Sequence, residues 1–165
     1  MTAVERVPIG GDLFALIDAA DLPLVAPYAW SPLHSSDLVY ARAWVDGNTH
    51  RRMMHNLITG WDMCDHVNGN GLDNRRINLR TASRSQNMAN RRKGAGGSSR
   101  FKGVYRYRDC ARWKVQIGIG GQRFYLGLFA DEEAAARAYD DRAREAFGEY
   151  AALNFPKDGE LSCHR

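Results

Sequence analysis

Four segments in the second half of this 165-residue chain decide its fold: FKGVYRYR (101–108), RWKVQIGI (112–119), QRFYLGLF (122–129) and DEEAAARAYDDRAREAFG (131–148). The first three are strand-like runs separated by short, turn-like breaks. In the fourth, Asp131 precedes an acidic first turn and an alanine-rich interior, and Gly148 follows it, which predicts an amphipathic helix. We therefore expect a three-stranded antiparallel sheet packed on one helix over about residues 99–156.

The same segments resemble the plant Apetala-two/ethylene-response-factor (AP2/ERF) DNA-binding domain. The resemblance rests on FKGVYRY, RWKVQI, RFYLGLF, on the helix with Ala134, Ala135, Ala138 and Tyr139, and on the closing ALNFP of 152–156. In that family the sheet lies in the major groove of duplex DNA and the helix packs behind it. The resemblance implies binding of double-stranded DNA through Lys102, Tyr105, Arg106, Tyr107, Arg108, Arg112, Lys114, Gln116, Arg123 and Tyr125.

Alternation along the strands predicts which side chains face the DNA. On the second strand, the side chains that should point to the helix are Trp113, Val115 and Ile117. Those that should point to the DNA are Arg112, Lys114 and Gln116. On the third, Arg123 and Tyr125 should share a face, with Phe124 and Leu126 opposite. Tyr105 and Tyr107 stand where the family usually has arginine, and Arg106 and Arg108 are one step out of phase. Unless a bulge re-aims these side chains, the target sequence should differ from that of the plant domains.

A polar stretch, CDHVNGNGLDNRRINLRTASRSQNMAN (64–90), precedes this domain. A carboxylate beside a histidine, followed by amides, supplies a hard oxygen ligand for a divalent cation and an imidazole that can activate water. Ser83 followed by Gln86 resembles a capping box that opens a helix. The alternative is that the Asp, Asn and Gly residues of 69–74 serve only the turns of a loop.

These residues also resemble the HNH endonuclease family, in its phage and homing-endonuclease branch, over about residues 8–92. The resemblance implies a ββα-metal core at about 55–92, in which His66 is the general base and Asn78 orients it. Asp65 and Asn87 would hold one Mg²⁺ or Mn²⁺ ion. The motif ends in Asn87 rather than in a histidine, which favours a hard cation over zinc. His55 is expected to be structural or to face DNA rather than to be catalytic.

Basic residues accompany this stretch: Arg75, Arg76, Arg80, Arg84, Arg91, Arg92 and Lys93. They could form a solvated face, but beside a phosphodiester site we expect them to neutralise DNA phosphates without choosing a sequence. The run RRKGAGGSSR (91–100) has the composition of a flexible, basic linker. We therefore expect a domain at 1–92, a linker at 93–98, the AP2/ERF-type domain at 99–156 and a tail at 157–165.

The formal charge of +4 is unevenly distributed along the chain. Residues 1–50 contain two basic and six acidic side chains. Residues 51–110 contain thirteen basic and four acidic side chains, and residues 111–165 contain eight basic and nine acidic ones. A basic centre favours a polyanionic partner. The odd, widely spaced cysteines Cys64, Cys110 and Cys163 suggest neither a disulfide framework nor a zinc knuckle.

Neither a signal peptide nor a membrane span is recognisable in the sequence. We therefore expect a cytoplasmic protein of a bacterial or phage-infected host cell that is not secreted and has no membrane partner. No obligate protein partner is evident, and a monomer or weak dimer is expected.

The fold class expected for the whole chain is α+β. A small N-terminal antiparallel sheet, with a hairpin turn at Asp46–Gly47, should lead into the ββα-metal HNH motif, and the three-stranded sheet on one helix should follow. The function expected first is a metal-dependent DNA endonuclease that hydrolyses phosphodiester bonds, with DNA bound by the C-terminal sheet. The alternative is a non-catalytic DNA-binding protein of the transcription-regulator type.

Overall fold

A computed structural model describes residues 3–35, 38–47, 49–107 and 111–164. The chain divides into two compact units, Met1–Ala82 and Ser83–Arg165. Both are of mixed α+β type, and together their described residues contain several small antiparallel sheets, which confirms the expected fold class at that level. Within the described residues, every helix is too short or too polar to cross a membrane.

The first unit is built from hairpins and two short helices. Its elements are β1 (Val4–Gly10), β2 (Leu13–Asp18), α1 (Leu22–Val25), β3 (Ser31–Ser35), β4 (Leu38–Val45), β5 (His50–Met53), α2 (Met54–Thr59), β6 (Cys64–His66) and β7 (Leu79–Thr81). The described strands of this unit form three separate antiparallel sheets. In these sheets β1 pairs with β2, β4 lies between β3 and β5, and β6 pairs with β7. Their apolar faces enclose one core in which Ile9, Ile17, Val25 and Met54 are completely buried.

The turn between β4 and β5 follows from its residue types. Asp46 and Gly47 both adopt positive φ angles, 52° and 67°. This is the backbone that a tight hairpin turn requires and that Asp-Gly accommodates readily. The hairpin predicted at this position is confirmed.

The second unit begins with a helix and continues into a sheet that packs on another helix. Its elements are α3 (Arg84–Asn90), β8 (Val104–Arg106), β9 (Trp113–Ile119), β10 (Gln122–Phe129), α4 (Glu132–Phe147), β11 (Ala152–Leu153) and β12 (Leu161–Ser162). The sheet order is β10-β9-β8, antiparallel throughout. The expected three strands and one helix are therefore present.

Helix α4 forms where the sequence predicts it. The Asp131 carboxylate caps its first turn by accepting the Ala134 N–H at 2.7 Å. Its apolar stripe, with Ala135, Ala136 and Tyr139, is buried against Val115 and Ile117 of β9 and other core residues. Small alanine side chains allow the helix backbone to lie close to the sheet.

The closing ALNFP segment is held by one buried carboxylate. Asp140 of α4 accepts the N–H groups of Asn154 and Phe155 at 2.9 and 2.7 Å, and also the Asn154 side-chain amide at 3.0 Å. Asn154 Oδ1 in turn accepts the Lys102 N–H at 2.7 Å. Asp140 and Asn154 are 1% and 3% exposed, so this network lies inside the unit and joins its C-terminal segment to the start of the sheet.

Helix α3 belongs to the second unit. Ser83 and Gln86 form the predicted capping box, with bonds of 3.2 and 2.8 Å. Ala89 lies in the core of this unit, and Ser85 Oγ accepts the Gly120 N–H at 3.0 Å. Because α3 is grouped apart from β6 and β7, the structure does not show the expected ββα-metal motif. The domain boundaries expected at residues 92 and 99 stay predictions.

Candidate nucleic-acid interface

One face of the β8-β9-β10 sheet is covered by α4 and the other is exposed; we call the latter the outer face. Tyr105 pairs with Lys114, Gln116 with Tyr125, and Gly118 with Arg123. Residues directly opposite each other in an antiparallel ladder point to the same side. The outer face therefore carries Tyr105, Lys114, Gln116, Arg123 and Tyr125, as the alternation predicts.

The outer face is cationic and aromatic. Tyr105 and Tyr125 are 49% and 56% exposed, and the Lys114 ammonium lies 5.9 Å from the centre of the Tyr125 ring. Arg112 and Arg123 are exposed at its margins. Within the described part of the chain, Arg112, Lys114 and Arg123 form no ion pair with a carboxylate. Their charges are therefore available to a polyanion.

The side chains of β8 alternate between the two faces as the sequence predicts. Arg106 lies opposite Trp113, and its guanidinium stacks at 5.0 Å over the indole ring, away from the outer face. Tyr107 is exposed beyond the strand, and its N–H bonds to the Arg112 carbonyl at 3.0 Å. Arg108 lies outside the described residues.

A β-bulge adds one residue that alternation alone misses. The register of β10 shifts between Tyr125 and Gly127, so Leu128 pairs with Lys114 and shares the outer face. Leu126 packs against the core instead. Gly127 has φ +129°, and a glycine inside a strand is the sequence signal that could have indicated the bulge.

Lys102 lies inside the unit rather than on the outer face. Its ammonium donates to the Ala89 carbonyl, and to those of Arg91 and Ala152 at 2.7 and 3.3 Å. Burial lowers the pKa of Lys102 to about 8. The three donors of this ammonium thus hold the end of α3 and residue 152 together, and its predicted DNA contact stays a prediction.

Three arginines of the polar stretch are bound to carboxylates of the first unit. Arg75 bonds to Asp73 at 2.6 and 2.7 Å, and the Arg76 guanidinium bonds to Asp21 at 2.7–3.1 Å. Arg80 donates twice to Asp65 Oδ2, at 2.9 and 3.0 Å. These charges are already neutralised within the fold, and their predicted phosphate contacts stay predictions.

The other predicted phosphate contacts lie in the second unit, on α3 and just after it. Arg84, Arg91 and Arg92 are exposed. Lys93 donates its ammonium to the Gly94 carbonyl at 2.6 Å, and its N–H bonds to the Cys163 carbonyl at 2.9 Å. This contact ties the beginning of the expected linker to the end of the chain. The DNA contacts of all four residues remain predictions.

The loop after His66 is organised by its own amides. Asn78 Nδ2 donates to the Asp73 carbonyl at 2.7 Å, and Asn78 Oδ1 accepts the Asn68 N–H at 2.9 Å. Asn68 and Asn70 side chains accept the N–H groups of Asn70 and Leu72 at 2.9 and 3.1 Å. These are turn-forming contacts, and for Asn70 this is the role that the alternative interpretation gives to residues 69–74.

His66 lies in a buried group of rings. Its ring centre is 4.9 Å from that of His55 and 5.8 Å from that of Tyr40, and its Nε2 lies 3.3 Å from Asn74 Oδ1. Burial lowers the pKa of His66, against the opposing effect of Asn74. Burial, together with the charge of His66, lowers the pKa of His55 to about 3. Both imidazoles are therefore neutral near pH 7.

Asp65, as it stands, does not fit a divalent cation bound through Oδ2. It is 3% exposed, and Arg80 already donates two hydrogen bonds to that oxygen. The second expected ligand, Asn87, lies on α3 of the other unit. Within the described residues, no group of three or more His, Cys, Asp or Glu side chains could hold a metal ion. The Mg²⁺ or Mn²⁺ ion, and the roles of Asp65, His66, Asn78 and Asn87, stay predictions.

Three relatives illustrate the comparison with known proteins, and each matches 36–39% of the chain. An AP2/ERF and B3 domain-containing protein of Oryza sativa subsp. japonica is 52% identical over 59 residues, which cover 36% of this chain and 16% of the relative. APETALA2-like protein 2 of Oryza sativa subsp. indica is 46% identical over 63 residues, which cover 37% of this chain and 14% of the relative. The AP2-like ethylene-responsive transcription factor AIL7 of Arabidopsis thaliana is 44% identical over 70 residues (39% and 14%).

About 40% of the chain is homologous to the AP2/ERF DNA-binding domain. This confirms the resemblance expected of the C-terminal part. The chain spans only 14–16% of the length of these three relatives. No family model matches the chain.

The comparisons contradict the prediction of an endonuclease. The relatives are named for AP2/ERF domains and, in Arabidopsis thaliana, as transcription factors, not as nucleases, and nothing supports an HNH part. The prediction of a metal-dependent hydrolase of phage or homing type is therefore wrong. The prediction of a cytoplasmic protein of a bacterial or phage-infected host cell is contradicted by the same plant transcription factors.

Proposed function

We propose that this protein is a non-catalytic DNA-binding regulator that binds duplex DNA through the outer face of its second unit. The observation that carries the proposal is the arrangement of Lys114, Gln116, Arg123 and Tyr125. All four lie on one exposed sheet face, and the two cations have no acidic partner within the described residues. A cationic sheet face with polar and aromatic side chains can enter the major groove, where base edges are distinguishable.

The division of tasks within this face follows from its chemistry. Lys114 and Arg123 neutralise phosphates or bind guanine, and they supply affinity that depends on salt. Gln116, Tyr105 and Tyr125 present hydrogen-bonding and apolar groups to base edges. The homologous transcription factors support regulation as the outcome of binding.

The test is a mobility-shift measurement with the full chain and two charge-matched double variants. Lys114→Ala with Arg123→Ala removes two outer-face cations. Arg137→Ala with Arg142→Ala removes two cations of α4, which covers the other face of the sheet. We expect the first pair to weaken duplex binding by about tenfold or more and the second by less than about twofold. Equal effects, or a wild-type chain that binds no duplex, would contradict the proposal.

A plasmid assay tests the absence of catalysis. Supercoiled plasmid bound by the protein should stay intact in the presence of Mg²⁺ or Mn²⁺. Nicked or linear products that disappear in the His66→Ala variant would show that the protein hydrolyses DNA, and would overturn the non-catalytic part of the proposal.

A further inference from the structure

The centre of the outer face consists of one glutamine and one tyrosine. Gln116 of β9 and Tyr125 of β10 are direct partners in the antiparallel ladder. Directly opposed residues have Cβ atoms about 4.5–5.5 Å apart and point the same way. Within the described residues, the Gln116 side-chain amide makes no hydrogen bond, and Tyr125 is 56% exposed. An amide and an aromatic ring thus stand side by side, open to a ligand.

The two groups match the two halves of one base pair. In the major groove, adenine presents an acceptor (N7) and a donor (N6), and a carboxamide satisfies both at once. Thymine presents a C5-methyl group, which favours contact with an apolar surface such as a ring. Guanine presents two acceptors, of which the carboxamide can satisfy only one through its NH₂ group, and cytosine has no methyl group.

The neighbouring row extends the apolar surface. Lys114 lies between Tyr105 on β8 and Leu128 on β10, both of which are exposed on the outer face. These side chains place apolar area on either side of a cation that can reach the phosphate backbone. The only guanidinium in the described ladder rows of this face is Arg123, beside Gly118 near the β9–β10 turn. Guanine-specific bidentate contacts are therefore confined to the sheet margins.

We propose that the centre of the outer face selects A·T base pairs, with Gln116 bound to adenine and Tyr125 in contact with the thymine methyl group. This inference rests on the proposed function, because it assigns base identity to the DNA bound there. The flanking Tyr105 and Leu128 favour further thymines next to that pair.

The experiment removes one recognised group of one base at a time. The full chain first selects its site from a random duplex library, and each central thymine is then replaced by uracil, which removes only the methyl group. A second series replaces each central adenine by 7-deazaadenine, which removes the N7 acceptor. We expect each replacement at the recognised pair to weaken wild-type binding by about three- to tenfold.

Two variants assign the losses to residues. Tyr125→Ser should bind thymine and uracil duplexes equally, and Gln116→Ala should bind adenine and 7-deazaadenine duplexes equally. Phe124→Ser, at an exposed aromatic residue on the opposite face of β10, serves as the matched control and should keep both losses. The DNA replacements act on the wild-type chain, so they test the inference even where a variant fails to fold.

The possible results distinguish a failure of the A·T assignment from a failure of duplex binding. A selected site with G·C pairs at its centre, or wild-type binding that ignores uracil and 7-deazaadenine, overturns the A·T assignment and leaves duplex binding intact. A wild-type chain that selects no duplex overturns both proposals. Losses that persist in Tyr125→Ser and Gln116→Ala overturn the residue assignment.

Discussion

The carboxylate of Asp140 and the amide of Asn154 form a buried bridge between α4 and the segment that closes the second unit. Together with Phe155, Asn154 directs three N–H donors at this one carboxylate, at distances of 2.7–3.0 Å. The closing ALNFP motif is therefore a structural element of the domain, and its asparagine is required for the way the chain end is held.

Asp140→Ala should lower the free energy of unfolding by about 3 kcal/mol, because two buried donors and one partly buried donor lose a charged acceptor. Urea denaturation measures the change. Asp141→Ala is the matched control: its side chain is 75% exposed, and its ion pair with Arg144 lies at the surface. The control should change stability by less than about 0.5 kcal/mol. Equal effects at both positions would show that the bridge is not needed.

Gly103→Ala should destabilise the second unit by about 2–4 kcal/mol. Gly103 has φ +77°, and a Cβ there would overlap the Tyr139 ring. Gly118→Ala provides the control on the same sheet. Its added Cβ would meet only the Gln122 carbonyl oxygen, at 3.8 Å, with no positive φ, so its effect should stay within about 0.5 kcal/mol. A Gly103→Ala protein as stable as Gly118→Ala would contradict the close packing of Gly103 on Tyr139.

Local signals in the sequence predicted local structure correctly. Asp131 caps α4, Ser83 and Gln86 form a capping box, and Asp46–Gly47 makes the hairpin turn. Each depends on residues within one turn of the chain, where propensity and hydrogen bonding decide the outcome. Alternation also placed Gln116 and Tyr125 correctly on the outer face. It failed for Leu128, because the bulge at Leu126 moves that side chain to the outer face.

Long-range partners could not be predicted in this way. Arg76 donates hydrogen bonds to Asp21, which is 55 residues away in the sequence. Lys102 donates a hydrogen bond to the Ala152 carbonyl, which is 50 residues away. The positions of basic residues in a sequence give their charge but not their partners. The carboxylates bound by Arg75, Arg76 and Arg80 were therefore not predicted, and the phosphate contacts of these arginines stay predictions. The polar loop misled the functional prediction because amides that organise turns resemble amides that organise a metal site.

Stability should fall in acid because of His55. Its pKa is about 3 in the folded protein against an ordinary value of 6.5, so the unfolded chain binds more protons between these values. The stabilising contribution is present above about pH 6.5 and is lost as the pH falls toward about 3, with a slope of at most about 1.4 kcal/mol per pH unit. The lowered pKa of His66 acts in the same direction.

His55→Gln should therefore flatten the pH dependence of unfolding between about pH 6.5 and about pH 4. His34→Gln, at an exposed histidine of β3, is the control and should leave the slope unchanged. Urea denaturation at several pH values measures both slopes. A wild-type slope that survives in His55→Gln would assign the acid sensitivity to other groups.

Arg80→Met should destabilise the first unit by about 3 kcal/mol, because buried Asp65 loses the guanidinium that neutralises it. Asp65→Asn in the Arg80→Met background should restore part of the loss, since it removes the buried charge. Arg142→Met breaks a surface pair with Glu145 and should cost less than about 0.5 kcal/mol. If the double variant is less stable than Arg80→Met, burial of the Asp65 charge is not the cause.

The most direct test of DNA binding by the outer face is the salt dependence of duplex affinity. Each phosphate contact contributes about 0.9 to the slope of log K against log salt concentration. Lys114→Gln with Arg123→Gln should therefore reduce the magnitude of the slope of the full chain by about 1.8, measured between about 50 and 200 mM salt. Arg137→Gln with Arg142→Gln should leave it unchanged. An unchanged slope in the outer-face variant, or an equal reduction in the α4 variant, would contradict binding through this face.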